Sequence, residues 1–466
     1  MHLRVAALFL LLSLPLRADS TSDRLDHYLT ARTNLGQFSG TALVAHEGKV
    51  LLRKGYGYAN LEHLVRNSPE TRFEIASLTK AFTAFAVHEL ARQGKVRLDA
   101  PMCAYVEACP EAWKGVTVAQ LVHHTSGIPD YEEAQEMGSE AYYTSLMRDD
   151  SAKASVEWAR AKPLDFVPGS KSKYSNTGYL ILGFILERVS GKRYEELLRE
   201  VIFTPLQMTS TMHIDRTRPQ LHRADGYTHQ APLYDVVAGF PLTSPHLRRV
   251  PPLRQEAPQA DGGLLSTVDD LHAWGRALLG HGPFAAEALA GLFRPNEPGS
   301  YGFGWVIGRK FDRTLYSHTG ILPGMVSTFH LYPESNTIVI VLGNLDRARM
   351  SNIARDLTHI ILGRPYDVPR SHKATTIDAG RAARFTGTYK LADGRLLRIG
   401  HDAKNGWLEA EVKEQFTAGL LPESDLVYYA PMWEGTITFV PDADGSVPAL
   451  LMRQTGVDLQ GERVKE

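Results

Sequence analysis

The chain has 466 residues, 43% hydrophobic and 22% charged, with a formal net charge of -1. That length allows two or three domains, each with its own core, and the charge balance excludes a global basic field that would draw in nucleic acid or anionic membrane. Two basic clusters, LRRV at 247–250 and GRAAR at 380–384, are short and read as solvated faces.

In chain order, MHLRVAALFLLLSLPLRADS comes first, with Arg4 ahead of an apolar run and Ala18 ahead of a polar segment. This is the pattern of an export signal, predicted over residues 1–18 and removed, which places the mature chain as secreted or periplasmic. The apolar run VAALFLLLSLPL falls short of the roughly 20 residues a spanning helix needs, and no later stretch is long and apolar enough. Next, SDRLDHYLTARTN predicts a helix. FSGTALVAH and KVLLRKGYGYAN predict two strands turned at Glu47-Gly48. A helix is predicted to open at Ser77, in FEIASLTKAF. The only two cysteines, Cys103 and Cys109 in CAYVEAC, read as a local bridge or as two inert thiols; a regular helix there would hold the sulfurs apart.

Further on, GYLILGFILERVSG (178–191) predicts a buried helix ending at Gly191, and STVDD (266–270) a capping box that starts DLHAWGRALL. Strand patterns return at 301–308, 313–318, 325–332 and 337–343. Strands at both ends of this region with helices between predict an α+β domain over residues 19–362: an antiparallel sheet flanked by helices, with an all-helical region. GRPYDVPRSHKATTI reads as a linker, set at 363–379. After it, short alternating strands broken by Asp393-Gly394, Asn405-Gly406 and Asp444-Gly445 predict a small all-β, barrel-like domain over 380–466.

The chemistry is concentrated at Ser77. Three residues apart on a helix, Ser77 and Lys80 share a face, at an N-terminus where backbone N–H groups favour negative charge. Lys80 is surrounded by Leu78, Ala81, Phe82, Ala84 and Phe85, and burial lowers a lysine's pKa until it can accept a proton from the serine. The second Ser-x-x-Lys copy, SKSK at 170–173, lies in a polar loop where nothing activates the serine. Tyr174 and Asn176, in YSN, supply a phenol that can shuttle protons and an amide that can hold a carbonyl. His318-Thr319-Gly320 occurs once, and its glycine lets a backbone come close, so an N–H just past it can pair with that of Ser77 as an oxyanion hole. The histidine pair His123 and His124, before Thr125-Ser126-Gly127, reads as loop packing. There is no Gly-x-Ser-x-Gly elbow and no His-Glu-x-x-His, and the glycines of YGFGWVIG sit in a strand pattern.

Ser77-x-x-Lys80, Tyr174-x-Asn176 and His318-Thr319-Gly320, in that order, resemble the signature motifs of the serine β-lactamase and penicillin-binding protein superfamily. The Tyr-x-Asn form resembles its class C-like branch, with D,D-peptidases, D-aminopeptidases and esterases. LVHHTSGIPDY (121–131), PGSKSKYSNTGYLILG (168–183) and GGLLST (262–267) are similar to that branch as well. The likeness spans roughly residues 22–362, and the C-terminal part is similar to lipocalin-like β-domains. The resemblance implies a β-lactamase/transpeptidase-like fold and an acyl-enzyme mechanism on an amide or ester. Ser77 would be the nucleophile, with Lys80 and Tyr174 sharing acid and base work. Asn176 would hold the acyl side, the N–H groups of Ser77 and Ile321 the oxyanion, and His318 and Thr319 a carboxylate or polar tail. It implies a small-molecule or peptide substrate and no cofactor or metal, and leaves the oligomeric state open. His318 stands where lactamases of this branch usually carry lysine, and matches D,D-peptidases and several esterases. A non-catalytic receptor for penicillin or peptidoglycan fragments is the alternative, separated from the enzyme by turnover.

Overall fold

The structure, a computed structural model, describes residues 20–134, 152–215, 217–229, 246–250, 259–296, 298–372, 380, 383–402, 407–412 and 416–464. The expected export signal, the turn Asn405-Gly406 and part of the expected linker lie outside the described residues. No helix among the described residues is long and apolar enough to cross a membrane.

Helix α1 (Thr21–Asn34) opens on a reciprocal cap: Ser20 Oγ accepts from the Asp23 N–H, and the Asp23 carboxylate accepts from the Ser20 N–H. Strands β1 (Gly40–His46) and β2 (Lys49–Tyr56) form a hairpin turned by Glu47 and Gly48, at φ of 50° and 75°. Then come α2 (Thr79–Arg92), α3 (Asn176–Ser190) and α4 (Val268–Leu278). Strands β3 (Val306–Lys310), β4 (Arg313–Leu322), β5 (Met325–Tyr332) and β6 (Thr337–Gly343) follow, and α5 (Met350–Ile361) closes the domain.

The six strands make one antiparallel sheet in the order β3-β4-β5-β6-β1-β2, so the first hairpin lies beside the last strand, with Gly40 opposite Gly343. Side chains of β1 and β6 alternate between two cores. Leu43, Ala45, Ile338, Ile340 and Leu342 join the larger core under α2, α3 and α4, while Ala42, Val44, Val339 and Val341 pack against α1 and α5. Burial of each Val, Leu or Ile among them stabilises by about 1.5–3 kcal/mol. Two predicted starts shift. Residues 76–78 form a 3-10 turn and α2 begins at Thr79, because Ala76 takes a left-handed φ of 50° that no α-helix accommodates. At α4 only half of the predicted box forms: Thr267 caps the Asp270 N–H, but the Asp270 carboxylate binds Ser210 N and Thr211 Oγ1 instead.

Cys103 and Cys109 are bridged, with Cα atoms 5.5 Å apart. Residues 102–104 make a single 3-10 turn and Ala108 has a φ of 47°, so no regular helix keeps the sulfurs apart.

The C-terminal strands β7 (Gly387–Leu391), β8 (Leu396–Asp402), β9 (Trp407–Val412), β10 (Phe416–Pro422), β11 (Val427–Ala430), β12 (Gly435–Val440), β13 (Ala449–Gln454) and β14 (Val457–Arg463) form a closed barrel. Its core includes Phe385, Tyr389, Leu397, Ile399, Tyr428 and Phe439. It docks on α1: the Arg32 guanidinium, 4% exposed, donates to both carboxylate oxygens of Glu434 at 2.7 and 2.5 Å. Arg32 also donates to Tyr28 Oη, which in turn donates to Asp356 of α5 at 2.7 Å.

Candidate active site

The chain entering Ser77 is pinned by its neighbours. Phe73 and Glu74 pair with Ser266 and Leu265, and the Ile75 N–H donates to Leu264 O at 2.9 Å. The segment before Leu264 is tied to α2: Thr83 Oγ1 donates to Ala260 O at 2.6 Å, and Leu264 N donates to Thr79 Oγ1 at 3.2 Å. From the other side β4 passes directly against Ile75 and Ala76. A Cβ on Gly320 would lie 2.3 Å from Ile75 O and 2.4 Å from Ser327 Oγ, so only glycine fits. Ser77 is therefore presented on a strained turn between β4 and residues 260–264.

Lys80 is 0% exposed, and its Nζ has three close polar neighbours: Ser77 Oγ at 3.1 Å, Asn176 Oδ1 at 2.7 Å and Asp261 O at 2.8 Å. Two of these can only accept. When the amine is neutral they take its two hydrogens, which leaves its lone pair facing the hydroxyl of Ser77, the one partner able to donate. Burial lowers the Lys80 pKa from the ordinary lysine value, against the pull of Asp261, Glu132 and Asp130. The Asn176 amide is fixed by Asp130, whose Oδ2 accepts from both Asn176 N and Nδ2 at 3.0 Å. One amide hydrogen then remains for a substrate carbonyl. Asp261 in turn accepts from Tyr131 Oη at 2.9 Å, and its Oδ1 is buried with no partner among the described residues. Burial raises the pKa of Asp130 and of Asp261. Glu132 is pushed up to about 7 by burial and by the charges of Asp130 and Asp261.

The Tyr174 ring lies 4.9 Å from Lys80 Nζ. Burial raises its phenol pKa, and the nearby Ser77 hydroxyl pulls the other way. His318 is 4% exposed; its Nδ1 lies 2.6 Å from Thr319 O, an acceptor, so the proton is on Nδ1. Burial and Lys80 push its pKa down to about 4. The expected clamp on a carboxylate therefore carries no charge from His318. Thr319 and Ile321 alternate outward from His318 and Gly320, with Ile321 67% exposed. Because β3 pairs only with residues 313–317 of β4, residues 318–322 keep an edge that no described strand covers.

All eight predicted site residues thus fall on two walls, Ser77, Lys80, Tyr174 and Asn176 on helix entries and His318, Thr319, Gly320 and Ile321 on β4. The motif Gly127-Ile128-Pro129-Asp130-Tyr131-Glu132 supplied three side chains that sequence reasoning missed, and Asp261 a fourth. The second Ser-x-x-Lys copy has Lys173 exposed and paired with Asp165 and Glu133.

Among known proteins, residues 25–361 match the family model described as Beta-lactamase. Penicillin-binding protein 4* of Bacillus subtilis (strain 168) is 28% identical over 456 residues, covering 94% of this chain and 98% of its own. The octameric penicillin-binding protein homologue from Pyrococcus abyssi shares the fold with a TM-score of 0.65 at 23% identity, over 94% of this chain and 99% of its own. D-amino acid amidase from Ochrobactrum anthropi SV3, solved with D-phenylalanine, gives 0.60 at 24% identity, over 74% and 98%. Because the matched span takes in well over half of the chain and encloses the whole Ser77 cluster, the protein belongs to the beta-lactamase family and is a serine hydrolase.

Proposed function

We propose that the protein hydrolyses an amide or ester through an acyl-enzyme on Ser77, with D-amino-acid peptides or short esters as its substrate class. One observation carries the reading: the buried Lys80 amine has its hydrogens committed to Asn176 Oδ1 and Asp261 O, and faces the Ser77 hydroxyl. Lys80 takes the hydroxyl proton as Ser77 Oγ attacks the carbonyl carbon. The N–H groups of Ser77 and Ile321 receive the oxyanion, and Tyr174 relays to the leaving amine or alcohol the proton that Lys80 took, so both residues end the step as they began it. A water then repeats the sequence on the acyl-enzyme, releasing the acid and restoring Ser77. An extended acyl chain would lie along the uncovered edge of residues 318–322.

Charge narrows the substrate. Asp130, Glu132 and Asp261 gather around a single Lys80, and His318 is uncharged, so an acyl group bearing an amine is favoured over a partner bearing a carboxylate. β-Lactams and C-terminal D-Ala peptides carry that carboxylate and are the poorer fit. The bridged Cys103–Cys109 supports an exported protein.

The test is turnover of a p-nitrophenyl short-chain ester. Ser77→Ala should abolish release, and Lys80→Ala and Tyr174→Phe should each lower kcat by about 10²-fold or more. Stoichiometric labelling without turnover would instead indicate the receptor. For the substrate, D-alanine p-nitroanilide should have a kcat/KM about tenfold or more above that of its N-acetyl form. Equal values would remove the preference for an amine while leaving the hydrolase reading intact.

A further inference from the structure

His124 serves no step above, yet it is built into the site more tightly than loop packing requires. It is 1% exposed and holds a left-handed φ of 58°. A non-glycine residue in that conformation persists only where its surroundings impose it. Three contacts do so, and all three converge on Tyr174. The His124 carbonyl accepts from the Lys173 N–H at 2.9 Å, and Nδ1 accepts from the Ser175 N–H at 3.1 Å. The ring lies against the Tyr174 ring, with centroids 4.5 Å apart and planes 27° from parallel. One residue thus grips the backbone on both sides of Tyr174 and the face of its phenol. Two more rings crowd the imidazole, Tyr179 at 5.1 Å and Tyr301 nearly perpendicular to it at 4.7 Å. Tyr179 is itself fixed, donating to Val122 O at 2.8 Å.

With Nδ1 accepting, the imidazole proton sits on Nε2, which is buried with no partner among the described residues. Burial and the nearby Lys80 hold the ring neutral, so it adds no charge beside the amine. Its contribution is geometric. Proton transfer depends on the phenol oxygen standing within hydrogen-bond reach of Ser77, and displacement of about 1 Å in such an arrangement costs on the order of 10²-fold.

We propose that His124 is a positioning residue: it fixes the phenol of Tyr174 against Ser77 by gripping residues 173 and 175 and stacking on the ring between them. This rests on Tyr174 carrying protons, as proposed above. The experiment is a double-mutant cycle on the full chain, reading kcat and KM for the p-nitrophenyl ester, with circular dichroism to confirm folding. His124→Ala should lower kcat about 30-fold with KM within about twofold, whereas His124→Phe, which keeps a ring, should lose only about fivefold. In a Tyr174→Phe background, His124→Ala should cost less than about twofold more, because its effect passes through the missing hydroxyl. The same 30-fold loss in that background would overturn the proposal, as would an unchanged kcat in His124→Ala alone. A Tyr174→Phe enzyme with wild-type kcat would sink the reading of Tyr174 itself, and this proposal with it. If His124→Ala fails to fold, His124→Asn, which tolerates the left-handed backbone, takes its place with the same expectations.

Discussion

Asp130 shows how far a single side chain reaches in this site. By accepting from both nitrogens of Asn176 it decides which end of that amide faces Lys80. The amide oxygen then takes one amine hydrogen, and the amine is left facing Ser77. The acidic company has a cost. Glu132 has its pKa raised to about 7, chiefly by burial, so between pH 4.5 and 7 the native state holds a proton that the unfolded chain has released. Its contribution is therefore fully present below pH 4.5 and is lost as pH rises through 7, the loss by pH 8 being at most about 3 kcal/mol. Glu132→Gln should accordingly gain stability over wild type at pH 8 relative to pH 4.5, measured by urea unfolding at both. An equal difference at the two pH values would contradict the shift. Ser77 and Lys80 were legible because an i, i+3 pair in an apolar run is a local pattern. Asp130 and Asp261 were not: one acts on a residue 46 positions away, and the other offers Lys80 its backbone carbonyl, which every residue has.

At the scale of elements, the site is the meeting of one strand with one helix entry. β4 must pass Ile75 and Ala76 at a distance that admits no side chain at position 320. Gly320→Ala should therefore push β4 away, costing about 2–3 kcal/mol of stability and lowering kcat more than tenfold, because the N–H of Ile321 moves with the strand. Denaturant midpoints and ester turnover measured together would check this; a variant with wild-type values on both would show that the strand has room. The hairpin turned at Glu47-Gly48 and the end of α3 at Gly191 were readable from turn and cap residues alone. The start of α2 was not, since the left-handed Ala76 is imposed by the packing of β4 and residues 262–264, which no local pattern encodes.

For the whole molecule, the two units are joined through a buried polar contact. Arg32 is surrounded by Glu434 of the barrel and by Tyr28 and Asp356 of the larger domain. Arg32→Ala would take from the part-buried Glu434 carboxylate its two-pronged partner, while Asp356 keeps Arg355 at 2.7 Å, a loss of about 3 kcal/mol. Calorimetry should show the barrel melting apart from the larger domain, with ester turnover at 25 °C retained; a single unsplit transition would mean that other contacts hold the units together. Tight-turn dipeptides revealed the barrel in the sequence, whereas its docking, between residues 402 positions apart, left no such mark.

The sheet order has a consequence for synthesis. β1 pairs with β2 at once but finds the neighbour for its other edge only in β6, so a nascent chain carries one uncapped, strongly apolar strand edge from Gly40 until Gly343 has emerged. Ser77 is made early, but the strand that completes its pocket is made about 240 residues later. A fragment ending short of residue 343 should collect as aggregate rather than as a smaller enzyme.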